Sequence, residues 1–257
     1  MTAEGGWGNM AETKEPDMIE LTQEDNLFVL TMDDGENRWN TTFVREFSKA
    51  LDLVEASEGA AALITRSSDP KFFSNGLDLE WRQSTDESHR GGDRSVFGQE
   101  FMSLAGRLIT FPVPTVCAIG GHAFGAGLMI ALCHDVRVMR EDRGFACANE
   151  VEIGMVIPDP ELALFRHKMS MSAFFQTVQL ARRWTGPDAM AAGFVETTGT
   201  EETLLPLAKK RAESLAHLGT NRTVYQRMKE RIYGADAAIH GDHGPAYMLS
   251  NSHELGH

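Results

Sequence analysis

The chain has 257 residues, a hydrophobic content of 42%, and a formal net charge of −13. That length allows one large domain or two small ones, with enough apolar material for a substantial core. The acidic balance argues against nucleic acid and anionic membrane as partners, because both need basic surface; it leaves room for a ligand whose phosphates meet a few local Lys and Arg residues.

In chain order, residues 1–16 are polar, with Gly5, Gly6 and Gly8, and read as a loose leader without the charged-then-apolar plan of a signal peptide. Residues 18–22 and 27–32 read as paired strands around Glu24-Asp25-Asn26, and 33–37 as a loop. Thr41 is expected to cap a helix that carries Phe43, Val44, Phe47, Leu51 and Val54 at helical spacing. A strand at 61–65 leads to a glycine-bearing turn at 72–79. Residues 83–97, rich in Ser, Asp, Arg and Gly, read as a mobile segment.

Phe101, Leu104, Ala105, Leu108 and Ile109 then repeat like a helix that stops before Pro112. A strand at 114–119 leads to a second glycine-bearing turn at 119–128, then an apolar helix at 127–134 and a strand at 136–139. Beyond Pro158 the pattern is mostly helical: 161–169, 173–180, a break at Gly186-Pro187, then 204–218 and 223–232. The polar stretch 252–257 looks too short to pack alone. Strands alternating with helices predict an α/β domain, expected over 17–190, with a helical region at 191–257. No internal repeat is visible.

Cys117, Cys133 and Cys147 form no Cys-x-x-Cys pair, and three is an odd count; they are expected to be reduced core thiols in a cytoplasmic protein. No apolar run reaches the roughly 18 residues that span a membrane. The nine histidines show no metal spacing such as His-Glu-x-x-His, so no metal is expected.

The two glycine turns carry the chemistry. Each follows a strand-like stretch, and glycine lets a backbone bend sharply and approach a ligand. One N–H from each turn, aimed at a single oxygen, makes an oxyanion hole that stabilises charge developing on a carbonyl. The plainer alternative for either turn is a tight connection.

Three segments together resemble the crotonase superfamily, the enoyl-CoA hydratases and isomerases, over roughly residues 18–235. Phe73-Ser74-Asn75-Gly76-Leu77-Asp78-Leu79 fills the family's first turn. Gly121 to Gly127, followed by an apolar helix and Asp135, fills the second. Asn149-Glu150-Val151-Glu152-Ile153-Gly154 is similar to the isomerases that move a double bond from the 3- to the 2-position of an acyl-CoA.

The resemblance implies a spiral of β-β-α units with a helical C-terminal region that builds contacts in a homotrimer or hexamer. It implies an acyl-CoA thioester substrate of fatty acid metabolism, with coenzyme A part of the substrate and no separate cofactor. It assigns the backbone N–H groups of Leu77 and Ala126 as donors and Glu150 as the base. Ser74, Asn75, Gly76, Gly125 and Gly127 come with the turns. Arg38 stands where the family often has a basic residue near the CoA phosphates. Asp78 is either a ligand contact or, preferably, a helix N-cap. His122 carries no chemical role. Glu152 would share a face with Glu150 if the segment were extended; only the family register separates them.

Hydratases of this family use a second Glu in the slot that Met129 fills here. Met129 is expected to be core packing, an apolar pocket wall, or both, and the lone Glu150 suits a single-glutamate proton shuttle. A hydratase, thioester hydrolase or decarboxylase stays open through Glu80, Glu152, Asp159 or Glu161 as a second group. So does a non-catalytic acyl-CoA binder.

Overall fold

The computed structural model describes residues 18–86, 90–234 and 245–253; the expected leader at 1–16, the middle of the 83–97 segment and the end of the 252–257 stretch lie outside them. β1 (Ile19–Glu24) and β2 (Leu27–Met32) pair antiparallel. Asp25, in the turn between them, takes a left-handed φ of 50°, a conformation Asp tolerates better than most residues.

α1 (Thr41–Ala56) follows, but Asn40 and not Thr41 is its cap. The Asn40 Oδ1 accepts the Phe43 N–H at 2.9 Å. Asn40 has the extended backbone that a cap needs, whereas Thr41 is already helical. The Thr41 hydroxyl instead donates to the Asp93 carbonyl at 2.6 Å.

Three successive units then repeat one plan. β3 (Ala62–Ser67) and β4 (Phe72–Ser74) precede α2 (Leu79–Gln83) and α3 (Phe97–Ile109). β5 (Thr115–Ile119) and β6 (His122–Phe124) precede α4 (Ala126–Cys133). β7 (Val136–Arg140) and β8 (Ala146–Cys147) precede a 3₁₀ turn, Glu150–Ile153, and α5 (Asp159–Lys168).

The first strand of each unit joins a six-stranded sheet that also holds β9 (Thr197–Gly199), in the order β1-β2-β3-β5-β7-β9; the second strand joins a three-stranded sheet, β4-β6-β8. Every pairing except β1–β2 is parallel. This is the expected spiral. It leaves no visible repeat in the sequence because the second strand of each unit is too short to carry a period of two, and the first, buried along almost its whole length, shows no alternation.

α6 (Met171–Val178), α7 (Gly186–Ala191), α8 (Glu201–Ala216), α9 (Arg222–Tyr233) and α10 (Pro245–Ser250) complete the described chain. Residues beyond 190 are not set apart from the sheet. β9 extends its edge along β7. Leu204, Ala208, Ala212 and Ala216 make a four-residue stripe on α8. That stripe lies over Leu27, Val29, Ile64, Val116 and Val138 on one sheet face, and its small side chains permit a close approach. The other face carries the larger core, with Trp39, Phe43, Phe47, Phe73, Phe101 and Phe111 wholly or almost wholly buried. Leu249 of α10 is buried in this core, and α10 packs on α3 and α5; Ser252, just beyond it, is buried too.

The segment expected to be mobile is tied down in its described parts. Arg94 Nε donates to the Trp81 carbonyl at 2.6 Å, and the Thr42 hydroxyl to that of Arg90 at 2.7 Å. The three cysteines are free and buried, and no helix among the described residues is long and apolar enough to cross a membrane.

One buried residue links this core to pH. His134 is fully buried between the Ile130 carbonyl, 2.9 Å from Nδ1, and the Thr65 hydroxyl, 2.8 Å from Nε2. A carbonyl only accepts, so Nδ1 carries the proton and Nε2 accepts from Thr65. Burial, aided by the charge of Arg137, lowers the imidazole to about 4. An unfolded histidine titrates near 6.5. Between these values the unfolded chain holds a proton that the folded chain does not. The His134 contribution to stability is therefore complete above about pH 6.5 and is lost as pH falls toward about 4, by roughly 3 kcal/mol. Glu150 and Glu161, whose carboxyls are raised, act in the opposite sense. The decisive quantity is thus a difference: urea unfolding of wild type and His134→Gln, each at about pH 7 and about pH 4.5. The wild type should lose more stability between the two, and equal losses would refute the assignment.

Candidate active site

β4, β6 and β8 run parallel, with β6 in the middle, so the chain leaves all three at the same edge. The exits are Asn75-Gly76-Leu77, Gly125-Ala126 and Asn149-Glu150, the three segments singled out in the sequence. Gly76 has φ 80°, and a Cβ there would lie 2.8 Å from the Phe124 carbonyl oxygen and 3.7 Å from the Ala126 nitrogen. A Cβ on Gly127 would lie 2.6 Å from the Ser74 carbonyl oxygen. The two turns thus touch backbone to backbone, with glycine on both sides of the contact. Gly125 has φ 49° and ψ −119°, and a Cβ on it would stand 3.0 Å from Glu150 Oε1. The Glu150 carboxylate therefore lies against Gly125, next to Ala126.

The bridge between Trp39 and Leu77 is made by the Trp39 N–H on the Gly76 carbonyl and the Asp78 N–H on the Trp39 carbonyl, at 2.8 and 3.0 Å. The Leu77 N–H takes no part in it. Ala126 opens α4, so its N–H has no carbonyl one turn earlier within the helix. The Gly125 N–H is taken by the Cys147 carbonyl at 2.9 Å.

Leu77, Ala126, Asn75, Gly76, Gly125 and Glu150 all line one cavity of about 370 Å³. Much of the remaining wall is apolar, including Leu79, Phe97, Phe101, Met102, Met155 and Val156; Arg38, Arg82, Asn149 and Glu161 are polar. Glu150 Oε2 is buried without a hydrogen-bond partner among the described residues. Burial pushes its carboxyl above the usual range, against a weaker pull from its own backbone N–H.

Glu152 goes elsewhere. The segment is a 3₁₀ turn and not a strand, so residues two apart sit about two-thirds of a turn from each other. Glu152 pairs with Arg183 at 2.7 Å and does not line the cavity.

Four other expected site residues lie off the wall. Ser74 is buried, its hydroxyl donating to the Asn37 carbonyl at 2.7 Å. Asp78 caps α2, accepting the Trp81 N–H at 3.0 Å. Gly127 is spent on the turn contact. Met129, expected as pocket wall, core packing or both, is wholly buried in the core cluster and does not line the cavity. His122 accepts the Phe145 N–H at 3.2 Å and packs at a tilt against the rings of Phe72, Phe124 and Phe145.

Two residues matter more than the sequence indicated. Glu36 accepts from Arg38 Nε at 2.8 Å and from Asn75 Nδ2 at 2.7 Å, so one carboxylate holds two cavity residues. The Asn75 bond and the Arg38 charge keep it below the usual carboxylate range despite its partial burial. Nothing in the local pattern marks a loop Glu for this task. Of the four candidates for a second carboxylate, Glu161 lines the cavity, whereas Glu80 and Asp159 are exposed. Burial, then the charge of Glu150, pushes the Glu161 carboxyl up to about 8. Among the described residues no cluster of His, Cys, Asp and Glu is suited to a metal ion. The arrangement puts both glycine turns and the largely buried Glu150 carboxylate on the wall of one cavity.

The family model described as enoyl-CoA hydratase/isomerase matches residues 22–240. Enoyl-CoA delta isomerase 2, peroxisomal, of Arabidopsis thaliana is 31% identical, over 84% of this chain and 92% of its own. Enoyl-CoA delta isomerase 1, peroxisomal, of the same plant is 33% identical, over 84% and 89%. An apo enoyl-CoA isomerase from Mycobacterium tuberculosis superposes with a TM-score of 0.73 at 28% identity, over 85% and 92% of the two chains. Human mitochondrial delta3-delta2-enoyl-CoA isomerase, at 20% identity, shares the fold with a TM-score of 0.76, over 93% and 88%.

Proposed function

The chain belongs to the enoyl-CoA hydratase/isomerase family, and on that premise we propose that it shifts the double bond of a 3-enoyl-CoA to the 2-position. The observation that carries the proposal is the Glu150 carboxylate, with one buried oxygen free, against Gly125 and beside the Ala126 N–H.

The thioester oxygen sits between the N–H groups of Leu77 and Ala126. Glu150 takes a proton from C2, and the electrons move onto that oxygen as an enolate. Two preorganised donors in a site with little water stabilise that charge. The enolate then collapses, the double bond forms between C2 and C3, and C4 takes the proton back from Glu150. One carboxylate suffices, because the proton leaves and returns on the same substrate. A raised carboxyl is better matched to removing a weakly acidic C–H than an ordinary one.

Arg38, on the cavity wall and held by Glu36, is the cation assigned to the phosphates of coenzyme A, which is part of the substrate. Self-association into a trimer or hexamer is supported by exposed apolar side chains such as Val156, Phe175 and Leu180. A cytoplasmic setting is supported by the three free, buried thiols.

Water addition is the second reading, since Glu161 shares the cavity. It needs a second carboxylate beside Glu150 to hold the water, and the slot that hydratases of the family use for it is filled by Met129, buried in the core. At neutral pH, isomerisation of a 3-enoyl-CoA should therefore outrun hydration of the 2-enoyl-CoA by roughly two orders of magnitude or more, the span a general base supplies. Assaying the purified protein on both esters decides it; rapid hydration would replace the isomerase assignment.

A further inference from the structure

Resting on the reading that an acyl-CoA fills this cavity, we propose that Glu161 selects acyl chains bearing a hydroxyl group over plain hydrocarbon chains. The starting point is the chain itself. Glu161 is the third residue of α5, whose cap is Pro158. A Glu at that position ordinarily folds back onto the backbone N–H of the cap residue. Pro158 has no N–H, and the helix has no side-chain cap hydrogen bond. The Glu161 carboxyl is thereby released from capping and lines the cavity instead.

The cavity also has polar walls, Arg38, Asn75, Arg82, Asn149 and Glu150, but among the described residues the Glu161 carboxyl makes no hydrogen bond or ion pair with them. Phe97, Phe101, Met102, Met155 and Val156 belong to the wall around the same space. Burial and the Glu150 charge are the influences that raise its pKa, with neither a hydrogen bond nor a cation to lower it. At neutral pH it is a neutral acid, with one O–H to donate and a carbonyl oxygen to accept. A plain hydrocarbon chain would cover this group and leave both functions unmet, which is costly. A hydroxyl on the chain meets both: its oxygen accepts from the acid and its hydrogen is donated to the carbonyl. Sites built around such a bond discriminate against ligands that lack it far better than apolar walls discriminate by shape.

The test uses 3-enoyl-CoA esters of equal length, one plain and the others hydroxylated at successive positions beyond the double bond. For the wild-type protein, at least one hydroxylated ester should exceed the plain ester in kcat/KM by about 10-fold or more. Glu161→Gln, which keeps a donor and an acceptor, should retain the preference. Glu161→Leu should abolish it, chiefly by improving the plain ester. The proposal is overturned if no hydroxylated ester is preferred, or if Glu161→Leu slows every ester equally, which would place Glu161 in the chemistry. Calorimetric dissociation constants for the same esters read the preference without turnover. A wild type that binds selectively but isomerises nothing would sink the Glu150 reading and leave this one standing.

Discussion

Glu150→Gln should lower turnover of a 3-enoyl-CoA by about 10²- to 10⁴-fold, with little change in binding or folding. The substitution preserves shape and removes basicity, so what is lost is the proton shuttle. The fold should not suffer. Glu150 Oε2 lacks a partner in the structure, and a buried carboxylate without one is a destabilising group. A neutral amide there should leave the melting temperature unchanged or raise it. Glu152→Gln is the matched control: its loss is confined to a partly exposed pair with Arg183, worth at most about 1 kcal/mol, and activity should stay within a few-fold. Single-turnover rates and thermal melts of both variants give the ranking. If Glu152→Gln proves the more damaging, the catalytic carboxylate has been misassigned.

Gly76→Val should cost about 10²- to 10³-fold in turnover, the scale of losing one oxyanion donor. Two effects act together. Gly76 has φ 80°, a region that β-branched residues essentially avoid. Its new Cβ would also stand 2.8 Å from the Phe124 carbonyl, a backbone atom that cannot swing aside as a side chain would. The turn must shift, and the Leu77 N–H shifts with it. Gly127→Val, with its Cβ 2.6 Å from the Ser74 carbonyl, should act in the same direction by pushing the turns apart from the other side. Circular dichroism separates this from unfolding. A complex with an acyl-CoA would test the cause directly: the thioester oxygen should lie about 2.7–3.1 Å from the Leu77 and Ala126 nitrogens. An acyl-CoA bound elsewhere would remove the basis for both variants.

These predictions draw on two levels of information. Whatever depends on short stretches of chain was legible in the sequence. The helical spacing from Phe43 to Val54, the Asp78 cap of α2 and the two glycine turns are local, since each is set by the conformational range of a few neighbouring residues. Even there the level was coarse: a cap fell on Asn40 and not Thr41, because capping depends on which residue keeps an extended backbone.

What the tertiary structure decided is which of these pieces meet. Side-by-side pairing of β4, β6 and β8 brings Gly76, Ala126 and Glu150 to one edge across some seventy residues of chain, through strands too short to announce themselves. The winding of residues 150–153 as a 3₁₀ turn sends Glu150 inward and Glu152 to Arg183. Packing of α4 against the core takes Met129 off the wall, and the approach of α5 puts Glu161 on it. Glu36 joins Arg38 to Asn75 across thirty-seven residues of sequence. Residue type and spacing specify what a segment can do; the direction in which a side chain points is set by burial over the whole chain, and that is a property of contacts no short stretch contains.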